Sequence, residues 1–549
     1  MKMSGAQIVV EQLCNHGVTT VFGYPGGAIL PVYDELYKSA DRIKHVLTAH
    51  EQGAAHAADG YARTTGKPGV VIATSGPGAT NLVTGIANAY LDSVPMVAIT
   101  GNVAAPMLGR DSFQEVDIIG ITQPIVKHSF EAREVGGLEE VLNEAFRIAD
   151  SGRRGPVLVD IPKNVQTEMG DYFGIPPVKK EEKRTREFDL GRIAQIIAES
   201  KRPFIYAGGG VIASGAEAEL RQLAETISAP VGLSMMGMTA LPGDYALNLG
   251  MCGMHGKYAS TVAQSECDVM IALGVRFSDR ATGNTDIYKR DKTIVHVDID
   301  LAEMGKNVSP QIGVCGDVKE VLTELLNAIR PMRRAEWLAR IAELKQAEIP
   351  DDGDGLNPRG VIDTVGRYCD DDTVIVTDVG QHQMWVMQYY NFQKPRTLLT
   401  SGGLGAMGFG LGAAIGSCMA NDKKRTVLFT GDGSFGMNLI ELATAVSQRL
   451  PITIVILNNN ALGLPRQWQG MFHGGRYSQS TLNRKTDFAS LAEAFGAEGR
   501  RAATLSELGG ILESLPDGLP AVIDCRIGMD EKAFPMIPPG GSVKNMVRG

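Results

Sequence analysis

The stretch TVLFTGDGSFGMNLIELATAVSQRLPITIVILNN, residues 426–459, decides how this chain folds. TVLFT reads as a buried strand that ends in a tight turn permitted by Gly431 and Gly433. MNLIELATAVSQRL has helical apolar spacing, and PITIVIL reads as a second buried strand ending in Asn458-Asn459. A strand–helix–strand unit returns both carboxyl ends to one edge of a parallel sheet. Asp432 and Asn459, 27 positions apart, therefore converge. A carboxylate and an amide offer oxygen donors suited to magnesium, which keeps its other positions for phosphate and water. Glycines beside Asp432 let backbone amides approach the same anion. A Gly-Asp-Gly turn alone is common; the whole arrangement with paired asparagines is far more specific.

The alternation extends along the chain. Up to about residue 165, helices alternate with VTTVFGY, HVLTAH, PGVVIAT, PMVAIT and GPVLVDIP, which implies a parallel sheet covered on both faces. GDYFGIPPVKKEEKRTREF breaks the pattern with prolines and mixed charge, as a linker does. A second α/β unit carries FIYAGGG, DVMIALGV and TIVHVDID. Pro331 to Pro358 reads as a charged helix and an aspartate/glycine-rich connector, and a third unit begins with VIVTDVG. The expected architecture is α/β, with three doubly wound parallel-sheet domains over residues 1–170, 188–340 and 357–549. The first and third share a strand–helix rhythm, but periodicity alone does not make them duplicates.

Composition supports this and narrows the partners. A chain of 549 residues, 44% hydrophobic and 21% charged, has material for about three globular cores. A net charge of −9 without a long basic run argues against nucleic acid or anionic membrane as the main partner. Seven scattered cysteines with no C-x-x-C pair favour a reducing cytoplasm over a disulfide framework or a zinc ribbon. MKMSGAQIVVEQLCNHG reads as an amphipathic helix rather than a secretory signal. The uncharged stretch from Gly402 to Ala420 contains seven glycines, so it reads as a close-packed cofactor wall rather than a membrane span.

Glu51 lies in TAHEQGAAHAADGYAR, where a strand gives way to a small-residue helix. Alone, it reads as a helix-terminal carboxylate facing water. HEQGA with GYAR occurs, however, in series with FGYPGG, ATSGPGATN, FQE, TDVGQHQMW, GGLGAMGFG, the GDG…NN unit and PMIPPGG. Over essentially its whole length the chain thereby resembles the catalytic subunits of the acetohydroxyacid synthase (acetolactate synthase) family, which are thiamine diphosphate enzymes.

The resemblance implies roles by position. Glu51 becomes the cofactor-activating glutamate, with Gly53, Ala54 and Ala55 leaving room for a flat ring. Asp432, Asn459 and the backbone oxygen of Ala461 become Mg2+ ligands. Met407 forces the bent cofactor shape, and Gln114 and Lys127 join it as catalytic candidates. The cofactor is further implied to touch Gly26, Pro77 and Asn81 from the first domain. From the third it meets Gly380, Gln381, His382 and Gly405, then Gly431, Gly433 and Ser434. A structural FAD is implied at Arg153, Gly208, Gly209, Gly210, Met254 and His255. Gly274, Arg276, Arg280, Asp298, Ile299 and Asp317 continue that series. Phe113, Met251, Arg276 and Trp468 form the implied substrate pocket.

The family activity is decarboxylation of pyruvate on thiamine diphosphate and ligation of the hydroxyethyl unit to a second 2-oxoacid, pyruvate or 2-oxobutanoate. The family site lies between two chains, which implies a homodimer or homotetramer, with a possible small regulatory subunit. Pyruvate oxidase and simple 2-oxoacid decarboxylases share the cofactor and stand as alternatives. Glyoxylate carboligase is disfavoured because that family lacks the carboxylate at Glu51. No G-x-G-x-x-G opens a helix at the start of any unit, which weakens a nicotinamide oxidoreductase reading. Three residues depart from the family pattern. Ser278 replaces an acidic residue, Arg153-Arg154 replaces Arg-Pro, and Pro465 replaces a small aliphatic residue. Pro465 is expected to remove a backbone donor in a binding loop.

Overall fold

A computed structural model describes residues 1–177, 189–347 and 355–548. The charged part of the first expected linker, 178–188, and the connector at 348–354 lie outside the described residues. Three six-stranded sheets account for the architecture. The first holds β1 (Thr20–Tyr24), β2 (Lys44–Leu47), β3 (Gly69–Ala73), β4 (Met96–Asn102), β5 (His128–Glu131) and β6 (Pro156–Pro162). Its spatial order is β2-β1-β3-β4-β6-β5. The second holds β7 (Pro203–Ala207), β8 (Val231–Leu233), β9 (Asn248–Met251), β10 (Val269–Leu273), β11 (Thr293–Asp298) and β12 (Ile312–Cys315), ordered β9-β8-β7-β10-β11-β12. The third holds β13 (Val374–Thr377), β14 (Leu398–Leu399), β15 (Thr426–Gly431), β16 (Ile452–Asn458), β17 (Glu498–Ala502) and β18 (Ala521–Arg526). Its order, β14-β13-β15-β16-β18-β17, repeats that of the first sheet.

All pairings in these sheets are parallel. Parallel strands are covered on both faces, which is why β4, β6 and β16 are buried at every residue and read as continuous apolar runs. In each sheet the strand order reverses beside the first strand, leaving a crevice at the carboxyl ends there. The turns after β1 and β3, after β7 and β10, and after β13 and β15 flank those crevices.

The outer sheets are joined by a helix pair. Helix α1 (Glu51–Thr65) packs against α3 (Phe409–Ala420); between them in sequence, α2 (Leu138–Asp150) covers the first sheet. The small-residue runs GAAHAADG and GLGAAIG are explained by this contact. A Cβ on Gly416 would strike the Ala57 carbonyl, and one on Gly60 would strike that of Ala413. The uncharged stretch 402–420 thus forms a loop exposed at residues 402–405 and a 12-residue helix buried along most of its length, and no helix among the described residues is long and apolar enough to cross a membrane.

Candidate active site

The third sheet builds one half of the site. Asp432 opens the short helix α4 (Asp432–Asn438) at the end of β15, beside the carboxyl end of β16. The residue is 6% exposed, burial pushes its pKa up to about 6, and Oδ1 has no hydrogen-bond partner among the described residues. His382 is equally buried, is held neutral by a pKa lowered to about 3, and leaves Nε2 unpartnered. Two orphaned polar atoms in one crevice fit a ligand carrying a cation and an anion. Asn459 donates to Gln381 Oε1 at 3.2 Å and accepts the Ala461 amide at 3.1 Å, so the turn that carries both is ordered. Ser434 Oγ donates to the Val379 carbonyl at 2.7 Å. Met407 Cε lies 3.8 Å from the point a Cβ on Gly433 would occupy.

Sequence reading missed two carboxylates here. Asp378 accepts the Gly408 amide at 2.8 Å and the Val379 amide at 3.0 Å, fixing the turn after Met407. It stood inside TDVGQHQMW, but only the fold reveals its reach. Asp524, on β18, is fully buried, accepts Asn458 Nδ2 at 2.8 Å and raises the Asp432 pKa. No motif marks it.

The first sheet builds the other half. Glu51, 8% exposed, accepts Asn81 Nδ2 at 2.9 Å. Pro77 and Asn81 bound a short helix that follows β3, and Gly26 packs on Thr74 beside it. The Gln114 carbonyl covers Gly76, bringing the FQE loop over the same turn; Phe113 on that loop is 86% exposed. Lys127 is not brought here. Its ammonium is bound by the Ile148 and Ser151 carbonyls at the carboxyl end of α2, and its amide donates to Pro156 at the amino end of β6. That is the opposite edge of the sheet from Glu51. A lysine satisfying the last carbonyls of a helix is a structural cap, and burial lowers its pKa to about 8. No hydrogen bond or ion pair among the described residues joins Glu51 to Asp432 or Asn459.

The second sheet faces a cleft of ≈ 2120 Å³ shared by all three units. Gly209, Gly210, Met251, Met254, His255 and Gly274 line it, as do Arg276, Arg280, Asp298, Ile299, Asp317 and Trp468. Gly208 and Gly210 press against Gly274, so the glycine triplet is first a packing requirement between the turns after β7 and β10. Burial lifts the Asp298 carboxyl to about 6 and lowers His255 to about 4. Asp317 caps the helix Val318–Ala328, accepting the Lys319 amide at 3.0 Å. Arg153 pairs with Glu303 at 2.7 Å, and Arg154 with Asp150 at 3.0 Å. The Ser278 departure has a local reason, since its hydroxyl caps the turn Asp279–Thr282.

Trp468 sits on α5 (Gly463–Phe472), with the Arg280 guanidinium 5.6 Å from its ring centroid. Arg276 lines the same cleft, but Arg280 is the arginine beside the indole. Pro465 falls in the first turn of α5, where backbone N–H groups have no intrahelical acceptor, and the ladder begins with Arg466 N–H donating to Leu462 at 2.9 Å. The expected loss of a donor therefore costs nothing.

Residues 3–121 match the thiamine pyrophosphate enzyme N-terminal TPP binding domain, 190–325 its central domain and 378–525 its C-terminal TPP binding domain. The probable acetolactate synthase large subunit of Methanocaldococcus jannaschii is 44% identical over 100% of this chain and 95% of its own length. The acetolactate synthase isozyme 1 large subunit of Escherichia coli (strain K12) is 44% identical over 100% of this chain and 98% of its own. The acetolactate synthase large subunit of Buchnera aphidicola subsp. Schizaphis graminum (strain Sg) is 42% identical over 99% of this chain and 98% of its own length. With half-sites on the first and third sheets and this likeness end to end, the chain belongs to the acetolactate synthase large-subunit family of thiamine pyrophosphate enzymes.

Proposed function

We propose that this chain decarboxylates pyruvate and joins the retained two-carbon unit to a second 2-oxoacid, pyruvate or 2-oxobutanoate, in branched-chain amino acid biosynthesis. The observation that carries the ligation step is Arg280 beside Trp468 at the wall of a cleft that also reaches Met251. A guanidinium binds a carboxylate through charge-assisted bonds, and an indole covers a short alkyl group. One methylene against that indole is worth about 1–3 kcal/mol, a roughly 10–200-fold preference for 2-oxobutanoate. In this reading Arg280 rather than Arg276 takes the carboxylate. Simple decarboxylation has no need of such an acceptor pocket.

Thiamine diphosphate, when bound, supplies the electron sink that makes loss of carbon dioxide possible. Glu51 exchanges a proton with the aminopyrimidine end, its carboxylate oriented by Asn81. Asp432, Asn459 and the Ala461 carbonyl hold Mg2+, supported by the unpartnered Asp432 Oδ1 and the nearby charge of Asp524. Met407, beside Gly433, would form the apolar wall against which the cofactor is held and oriented. FAD fills the central cleft as a structural group, supported by the buried Asp298 at the end of β11.

By the family arrangement, in which the first and third domains holding one cofactor come from different chains, two copies complete each site, as a homodimer or a pair of dimers. The large-subunit names of the relatives support a small regulatory partner for this chain. Seven free cysteines favour the cytoplasm. The test is incubation of the purified chain with pyruvate, Mg2+, thiamine diphosphate and FAD. Acetolactate without oxygen uptake is expected. Acetaldehyde alone, or peroxide with acetyl phosphate in phosphate buffer, overturns the ligation.

A further inference from the structure

Glu441 is a carboxylate that the reaction above does not use, yet it is 0% exposed. It lies nine positions after Asp432, in the turn beyond α4. Its oxygens accept the backbone N–H of Ala49 at 3.1 Å, that of His50 at 2.9 Å and the Thr444 hydroxyl at 2.7 Å. The first two donors belong to the other outer domain, in the two residues immediately ahead of Glu51. Burial pushes the Glu441 pKa up, and these donors at the amino end of α1 oppose that rise.

Gly53 is matched to the same contact. A Cβ there would fall on the Glu441 carboxyl group, so the glycine expected to make room for a flat ring makes room for this side chain. A glutamate in the first turn of a helix ordinarily turns back onto the free amides at that end. Here Glu441 occupies the amides of residues 49 and 50, and His50 Nδ1 accepts that of Gln52 at 3.1 Å. Glu51 turns instead to Asn81.

We propose that Glu441 is a positioning residue for Glu51: by holding the turn ahead of α1 from the opposite domain, it leaves the Glu51 carboxylate free to face the cofactor. The proposal rests on the role given to Glu51 above. It also means that the loop carrying Asp432 and the turn carrying Glu51 of one chain move as a unit.

The test uses full-length Glu441→Gln, Glu51→Gln and the double variant. Amide hydrogen exchange in the cofactor-free protein reads the turn itself. Exchange at residues 49 and 50 should quicken about tenfold in Glu441→Gln, with residues 96–102 unchanged. Deuterium exchange at the reactive carbon of bound thiamine diphosphate reads the consequence. It should slow about tenfold in Glu441→Gln at unchanged cofactor affinity, and the second substitution should add nothing to Glu51→Gln. Slow exchange in Glu51→Gln with a wild-type rate in Glu441→Gln, or additive slowing in the double variant, overturns this proposal alone. A wild-type rate in Glu51→Gln overturns the parent reading as well. Because glutamine keeps the shape and one acceptor, the test does not depend on whether Glu441→Ala folds.

Discussion

Single side chains in this molecule are tuned by burial more than by ion pairs. Asp160 on β6 is the clearest example away from the site. It accepts the Thr100 hydroxyl and the Asn102 amide, each at 2.6 Å, and burial lifts its pKa from 3.8 to about 7. A carboxyl whose folded pKa is raised binds its proton more tightly in the native state. Its contribution to stability is therefore complete below about pH 4 and is lost as pH rises through about 7. The shift corresponds to at most ~4 kcal/mol. Asp160→Asn imitates the protonated form at every pH, since its amide can donate to Thr100 while its oxygen accepts from Asn102. Thermal melts should show the wild type losing stability relative to Asp160→Asn between pH 4 and 7; a gap independent of pH refutes this. Nothing in the sequence marks Asp160, because the burial that shifts it comes from strands 60 positions away in the chain.

Elements obey their local signals more closely than residues do. The strand–turn–helix–strand unit at 426–459 folds as its apolar pattern requires, and Asp432 and Asn459 reach one edge because parallel strands leave no other outcome. Pro465 was legible as a rigid point but not as a harmless one, since that depended on where α5 begins. The position of Lys127 at the carboxyl end of α2 was not legible for a related reason: a motif fixes order along the chain, not which end of a strand a side chain lies at. The glycines of 402–420 read as a close-packed cofactor wall; in the structure those of α3 pack against α1, and that packing has a sharp consequence. Gly416→Ala places a methyl group on the Ala57 carbonyl, a backbone atom that no rotamer change can move aside. Overpacking of this kind costs about 1–3 kcal/mol. A lowered melting temperature with reduced cofactor affinity is expected, whereas Gly510→Ala, with open space around it, should melt within about 1 kcal/mol of wild type.

At the scale of the whole molecule, the first and third sheets repeat one strand order, β2-β1-β3-β4-β6-β5 and β14-β13-β15-β16-β18-β17. Periodicity revealed their shared rhythm but could not reveal this, because strand order is set by crossovers rather than by composition. In the proposed function each sheet carries half of the chemistry, and large apolar side chains stand exposed on both halves: Phe113 on the FQE loop, Leu47 at the end of β2, Met437 on α4. If two chains complete each site, the halves must be interchangeable between copies. Glu51→Gln disables the first half and Asp432→Asn the second, so each variant alone should be nearly inactive. Coexpressed in equal amounts with random pairing, half of the dimers are hybrids. Each hybrid holds one site with both lesions and one with neither, so the mixture should recover about one quarter of wild-type activity. Were each chain to contain its own complete site, coexpression would yield only the mean of two inactive proteins, and the arrangement argued from Glu51 and Asp432 would fail.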